Sequence, residues 1–163
     1  MKIRPAVDAD LDAVLEIHNA AIRDSLAIWS DTEVDRSDRE RWLAEQNANG
    51  HPVIVAEING AVAGYASYSQ WRSKTGYRHT VENSVYVHPD AQGRGLGKAL
   101  MVELLDRATA DGHHVMLALI EAENTSSIAL HTKLGFEQVG LLPEVGTKFG
   151  RWLDLAILRR TLA

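Results

Sequence analysis

The stretch that decides the fold is VYVHPDAQGRGLGKAL, running from Val85 to Leu100. Val85-Tyr86-Val87 reads as a strand, and His88-Pro89-Asp90 breaks it. Glycines at 93, 95 and 97 alternate with Arg94 and Leu96, Lys98 follows, and an apolar helical pattern starts at Leu96. Glycines at such a turn let successive backbone N–H groups face one concavity, and the helix start adds its free donors and positive dipole end. With Arg94 and Lys98 beside it, this loop is shaped for an anion, and a pyrophosphate would fit. The alternative is a tight strand-to-helix turn that holds nothing.

Two nucleotide motifs can be tested against it. A dinucleotide loop, G-x-G-x-x-G, read from Gly93 and Gly95 needs its third glycine at 98, where Lys98 stands. The phosphate loop of nucleotide hydrolases, G-x-x-x-x-G-K-[ST], fits Gly97-Lys98 but meets Gln92 and Ala99 where it needs glycine and a magnesium-binding hydroxyl. Both fail.

Outward from the loop, the chain alternates strand and helix signals. Lys2–Pro5 reads as a first strand. Leu11, Val14, Leu15, His18, Ala21 and Ile22 recur at helical spacing over about 8–26. A second helix is expected over Asp35–Asn47, capped by Asp35, with Trp42 and Leu43 turned inward. Asn59-Gly60 joins two apolar runs, Pro52–Ile58 and Ala61–Ser69, as a hairpin. A polar loop, QWRSKTGYRH, leads to a strand at about Thr80–Val87. The helix after the glycine loop carries Leu96, Leu100, Met101, Leu104, Leu105 and Ala108 and closes at Gly112. HVMLALIE is a strand, Asn124 caps a further helix, and Gly135 supplies the positive-φ position after it. Phe136–Leu142 and Arg151–Leu158 are the last strands, around a loop PEVGTKFG. The expectation is an α/β chain with a mixed sheet of about seven strands and about four helices, one domain over residues 1–163.

Composition removes several classes of function. At 45% hydrophobic and 24% charged residues, the chain matches an ordinary globular protein. No apolar run approaches the roughly 20 residues of a membrane span, and MKIRPAVDAD lacks the apolar core of a signal peptide. There is no cysteine, hence no disulfide, thiolate metal site or cysteine nucleophile; the expected compartment is the cytoplasm. The net charge of −5, without a run of lysine or arginine, argues against nucleic acid as a partner. No G-x-S-x-G elbow or H-E-x-x-H zinc helix is present. His113 and His114, adjacent on an expected strand, point to opposite faces and make a poor metal pair. No metal is expected.

Gln92-Gly93-Arg94-Gly95-Leu96-Gly97 resembles the Q/R-x-x-G-x-G/A pattern of the GNAT superfamily of acetyl-CoA-dependent N-acetyltransferases. HVMLALIEAENTSSIALHTKLGF looks like that superfamily's second cofactor element. The resemblance implies that the backbone of Val85, Tyr86 and Val87 pairs with the pantetheine arm of acetyl-CoA. It also implies that Gly93, Arg94, Gly95, Leu96, Gly97 and Lys98 wrap the pyrophosphate, and that Asn124 and Lys133 contact the cofactor. AIWSDTEVD, GYASYSQWR, GYRHTVENSVYV and VGTKFGRWLDL are similar to the bacterial phosphinothricin and methionine sulfoximine N-acetyltransferases. These acetylate the α-amino group of small amino-acid analogues and are typically homodimers, so a homodimer is expected here. Related sequences commonly read VEHSVYV where this chain has Asn83.

The chemistry narrows the candidates. An amine must lose a proton before attacking a thioester, and the collapsing intermediate needs its oxyanion stabilised and its thiolate protonated or tolerated. Glu82 is the candidate base, on the strand face shared with Ser84, Tyr86 and His88; an exposed strand carboxylate is the alternative. His131 sits where the superfamily often places a tyrosine as proton donor; a helix histidine satisfied by a backbone group is the alternative. Arg72 can clamp a carboxylate with two parallel hydrogen bonds, with Ser73, Lys74, Asn83 and Ser84 as further lining residues. Arg78 and Lys148 are weaker candidates, and Trp29 and Trp71 are candidate pocket walls or packing residues. Two readings compete with a sulfoximine-type acceptor: acetylation of another amine (an antibiotic, a polyamine or a protein N-terminus), and a non-catalytic acetyl-CoA sensor.

Overall fold

Asn59 and Gly60 both take positive φ, 51° and 79°, and the turn they make joins β2 (Val53–Ile58) to β3 (Ala61–Gln70) as an antiparallel hairpin. The computed structural model describes residues 1–163 and places this hairpin in a seven-stranded sheet of order β1-β2-β3-β4-β5-β7-β6. The other strands are β1 (Lys2–Pro5), β4 (Thr80–Val87), β5 (Val115–Glu121), β6 (Glu137–Lys148) and β7 (Arg151–Thr161). Only β4 and β5 run parallel. The crossover that parallel strands require is α3 (Leu96–Ala110), directly after the glycine loop.

Two helical layers cover the sheet. The stripe Leu96, Leu100, Met101, Leu104, Leu105 and Ala108 of α3 is buried against Ile54, Ala66, Tyr68, Val81 and Met116. On the opposite face, Val14 and Ile17 of α1 (Leu11–Asp24) pack on Val55 and Tyr65. Beside α1 lies α2 (Arg36–Ala48), whose start is capped by Asp35 accepting from the Asp38 N–H. The capping carboxylate replaces a partner that the first helical turn lacks. The shorter α4 (Thr125–Lys133) is capped by Asn124 and followed by Gly135 at φ 88°.

The chain end departs from expectation. PEVGTKFG is not a loop: β6 continues through it to Lys148, and the reversal is Phe149-Gly150, both at positive φ. Pro143 has no N–H for a ladder, and the strand absorbs it by an irregularity between Leu142 and Gly146. Glu144 takes φ 51° there and donates its N–H to Asp154 Oδ1. β7 likewise runs on to Thr161. His113 and His114 precede β5 instead of lying within it.

Candidate active site

β4 and β5 are paired over three residues only, Thr80–Glu82 against Val115–Leu117. Beyond Leu117, β5 stays paired with β7 as far as Glu121, while β4 stays paired with β3 as far as Val87. The two strands therefore part into a wedge, and Val85–Val87 present one backbone edge to it. Such an edge offers donors and acceptors in register for an extended polar chain.

The wide end of the wedge leads to the glycine loop. Gly93 and Gly95 take φ of 77° and 82°, a region costly for residues with a Cβ, and a Cβ at either position would meet no atom within 4 Å. Gly95 is the N-cap of α3 and supplies no side-chain cap, so the first N–H groups of α3 are left for a ligand. Arg94 and Lys98 are exposed beside them. Leu96 is buried under the loop and anchors it, and Gly97 lets Leu130 of α4 approach closely. Asn124 uses its oxygen on Ser127 N–H and the Ser126 hydroxyl, which leaves its amide N–H2 edge. Lys133 is exposed on the last turn of α4. Taken together, an open backbone edge, a positive-φ loop without Cβ atoms and an uncapped helix start suit a ligand with a polar arm and a pyrophosphate.

On the α1 face, the register across β3 and β4 sets Ser69 opposite Glu82, Ser67 opposite Ser84 and Tyr65 opposite Tyr86. Glu82 and Leu117 form the last pair before the strands part. The Glu82 carboxylate has no hydrogen-bond partner, and burial pushes its pKa up from the ordinary carboxylate value. Desolvation favours the neutral acid, so a partnerless, half-buried carboxylate takes up a proton at higher pH than usual. No sequence motif marks Ser69 or Gln46; the Ser69 hydroxyl donates to Gln46 Oε1 at 2.9 Å, and Gln46 Nε2 to the Tyr68 carbonyl. Pairing the hairpin by its Asn59-Gly60 turn would have brought Ser69 to the β3 edge of this face.

Gln46, Ser69, Gln70, Trp71, Arg72 and Ser73 line a concavity of about 450 Å³ at the end of β3. Arg72 stacks on Trp71, with its guanidinium carbon 5.0 Å from the ring centroid, and Trp71 is braced edge-on by Tyr77. Lys74 is exposed outside this concavity, and its carbonyl accepts from Gln70 Nε2. Arg78 folds back on the Thr75 carbonyl.

Two expected lining residues sit elsewhere. Asn83 is turned to the face opposite Glu82, because neighbours in a strand alternate; it is 8% exposed and donates to the Leu117 carbonyl. Lys148 is 2% exposed, and its ammonium donates to the carbonyls of Ile22, Ser25 and Ile28, each at 2.6 Å. Its three protons are spent inside the protein, so it is no substrate cation. Trp29 lies against Gly146, where any Cβ would overlap its ring. His131 is also buried, with Nδ1 2.7 Å from the Ser127 carbonyl and Nε2 3.3 Å from Asn83 Oδ1. Burial lowers its pKa, partly offset by the Ser127 contact.

Residues 14–136 match the acetyltransferase (GNAT) family. The chain belongs to that family. As a GNAT acetyltransferase it is an acyltransferase, and its wedge and glycine loop have the form needed for acetyl-CoA. It is 51% identical over 162 residues to the L-amino acid N-acyltransferase MnaT of Escherichia coli K12, spanning 99% of this chain and 94% of that protein. It is 50% identical to the L-methionine sulfoximine/L-methionine sulfone acetyltransferase of Salmonella typhimurium, spanning 99% and 95%. Among solved structures, a GNAT phosphinothricin acetyltransferase from Sinorhizobium meliloti in complex with acetyl-CoA superposes at TM-score 0.97, with 42% identity over 99% of this chain and 88% of that one. A ribosomal-protein-alanine N-acetyltransferase from Brucella melitensis superposes at 0.98, with 49% identity over 99% of both chains. The GNAT chain has no helix long and apolar enough to cross a membrane.

Proposed function

We propose that this GNAT enzyme transfers acetyl from acetyl-CoA to the α-amino group of small amino-acid analogues, methionine sulfoximine and methionine sulfone first and phosphinothricin next. The observation that carries the proposal is the position of Glu82 in the last β4–β5 pair, a half-buried carboxyl without a partner at the vertex of the wedge. The two relatives above 50% or at it, both named for amino-acid acceptors, support the substrate class.

Acetyl-CoA, when bound, supplies an activated thioester whose acetyl group the amine accepts and whose thiol leaves. Val85, Tyr86 and Val87 would hold its pantetheine arm by their backbone. Gly93 to Lys98 would hold the pyrophosphate, with Arg94 and Lys98 adding charge; Asn124, at the start of α4, would bind the pantetheine side, and Lys133, at its other end, would make a further cofactor contact. Glu82 takes the proton from the acceptor ammonium, directly or through water, so that the nitrogen lone pair is free. His131 would pass a proton to the departing thiolate from Nε2, after taking one up there and turning from Asn83 Oδ1, since Nδ1 is committed to the Ser127 carbonyl. Arg72, held over the Trp71 ring, offers its N–H edge to the acceptor carboxylate, with Ser73 beside it, Lys74 outside the concavity, and Ser84 on the far side of Glu82 on the same strand face. Acetylation removes the cationic charge by which an amino-acid mimic is recognised, so the outcome is detoxification. A cysteine-free chain suits the cytoplasm as the setting.

The proposal includes a homodimer. Val139, Leu141, Val145, Phe149 and Trp152 of the β6–β7 hairpin are all exposed, Trp152 by 70%, and an apolar hairpin of this kind is the surface that a second copy would cover. Trp152→Glu should then run as a monomer in sedimentation, and a monomeric wild type would contradict the dimer.

Incubation with acetyl-CoA and L-methionine sulfoximine should release CoA thiol in step with N-acetyl product. Acetyl-CoA binding without thiol release for any amine would instead support a sensor.

A further inference from the structure

The three carbonyls held by Lys148 all come from the end of α1 and the loop after it. An ammonium has three donors and no acceptor, and here each donor has one short partner. The loop is tied at its far end as well: Asn19 of α1 donates to the Val34 carbonyl and accepts from the Val34 N–H, both at 2.9 Å. Between these ties Trp29 lies on the bare backbone of Gly146, and its ring N–H donates to the Leu26 carbonyl. Residues 25–34 have no helix or strand of their own, yet they are held at three points.

The route of α1 says what this loop covers. Glu16 reaches His88 just beyond β4, with 3.3 Å between Oε1 and Nε2. His18 stands edge-on to Tyr86, centroids 6.2 Å apart, and bonds the Tyr65 hydroxyl at 2.8 Å. Ile22 then reaches Lys148 at the β6–β7 turn. The helix thus crosses from β4 to the far hairpin on the Glu82, Ser84 and Tyr86 face, over the end where β4 and β5 have parted. The loop at its end lies against β6, on the side of β4 away from β3 and Arg72.

We propose that Lys148 and Gly146 are positioning residues that fix residues 25–34, with Trp29 at their centre, as the outer wall of the acceptor site, and that this wall confines the enzyme to single amino acids. The inference rests on the acceptor site proposed at Glu82. Lys148 acts as an internal cation that gathers carbonyls from the wall, and Gly146 is bare because the Trp29 ring occupies the room of a side chain. A methionine at 148 keeps most of the length but leaves three carbonyls without donors. Arginine does not substitute, since its planar fork cannot point three protons at converging carbonyls.

The test combines Lys148→Met, Gly146→Ala and Trp29→Ala with steady-state kinetics, acetyl-CoA binding and amide hydrogen exchange. Lys148→Met and Gly146→Ala should raise the KM for methionine sulfoximine by about tenfold or more with a smaller change in kcat. They should leave acetyl-CoA affinity unchanged and speed exchange over residues 25–34. Trp29→Ala, which spares the lysine clamp, should admit longer acceptors such as an N-terminal dipeptide, and it keeps the test open if the other variants fail to fold. Unchanged amine KM alongside faster exchange, or a Trp29→Ala enzyme as selective as wild type, would overturn the wall. Unchanged exchange in Lys148→Met would overturn the clamp. A wild type that turns over no amino acid would refute the acceptor assignment instead, a distinct result.

Discussion

His131 and Asn83 meet behind the wedge vertex, Nε2 to Oδ1 at 3.3 Å, while His131 Nδ1 lies 2.7 Å from the Ser127 carbonyl. A carbonyl needs a donor, so the proton on the ring belongs at Nδ1. A neutral ring then has only a lone pair at Nε2, which an amide oxygen does not satisfy. Either the ring is protonated when it faces Oδ1, or the Asn83 amide turns its N–H2 edge to the ring and releases the Leu117 carbonyl. Ring charge and amide orientation are coupled at the point where β4 and β5 separate. The VEHSVYV pattern of related sequences would put an imidazole in place of this amide.

Asn83→Ala removes the donor to the Leu117 carbonyl and the neighbour of His131 in a buried place. The expected loss is about 1–3 kcal/mol of stability, read from the urea midpoint. A midpoint equal to wild type would mean that water replaces the amide at no cost.

Glu82 governs the acid side of the rate profile. Burial raises its pKa, so the fraction able to accept a proton grows as pH climbs beyond the usual carboxylate range, and kcat/KM for the amine should rise with it. Glu82→Gln should lose about 10²-fold or more at pH 7, recover in part at high pH where the amine deprotonates unaided, and bind acetyl-CoA as before. Full activity at pH 7 would remove Glu82 from the base role. The stability sign is opposite to that of a salt-bridged carboxylate. A folded-state pKa above the unfolded value favours the fold at low pH, and this contribution is lost as pH rises through the folded pKa. Glu82→Gln should therefore be more resistant to urea than wild type at pH 8.

Gly95→Ala tests the cofactor loop. At φ 82° an added Cβ costs about 1–2 kcal/mol of backbone strain, although it meets no neighbour. The loop should relax out of its anion-holding form, raising the KM for acetyl-CoA by about tenfold, equivalent to ~1.4 kcal/mol, with the amine KM unchanged. An unaltered acetyl-CoA KM would show that the backbone at 95 holds nothing.

What the sequence discloses and what it hides divide along physical lines. Local signals were readable: Asn59-Gly60 as a hairpin turn, Asp35 and Asn124 as caps, Gly135 as a helix stop and Thr80–Val87 as a strand. Each acts through its own backbone or its nearest neighbours. The course of β6 was not readable, because Pro143 and Gly146 are breakers by composition and only pairing with β7 carries the strand through them. Lys148 was hidden for a related reason. A lysine near a glycine turn reads as solvent-facing, and its burial depends on three carbonyls from residues 22–28 that the fold alone delivers. Asn83 is different, since strand alternation already separates it from Glu82; the two adjacent residues were never able to line one pocket with their side chains.

The most direct measurement is a competition for acetyl-CoA between L-methionine sulfoximine and an alanine-initiated peptide, with both N-acetyl products quantified. Acetyl should pass to the sulfoximine in large excess, through a kcat/KM at least about 10²-fold higher, or ~2.7 kcal/mol of discrimination. Preferential acetylation of the peptide would contradict it and align this enzyme with protein N-terminal substrates.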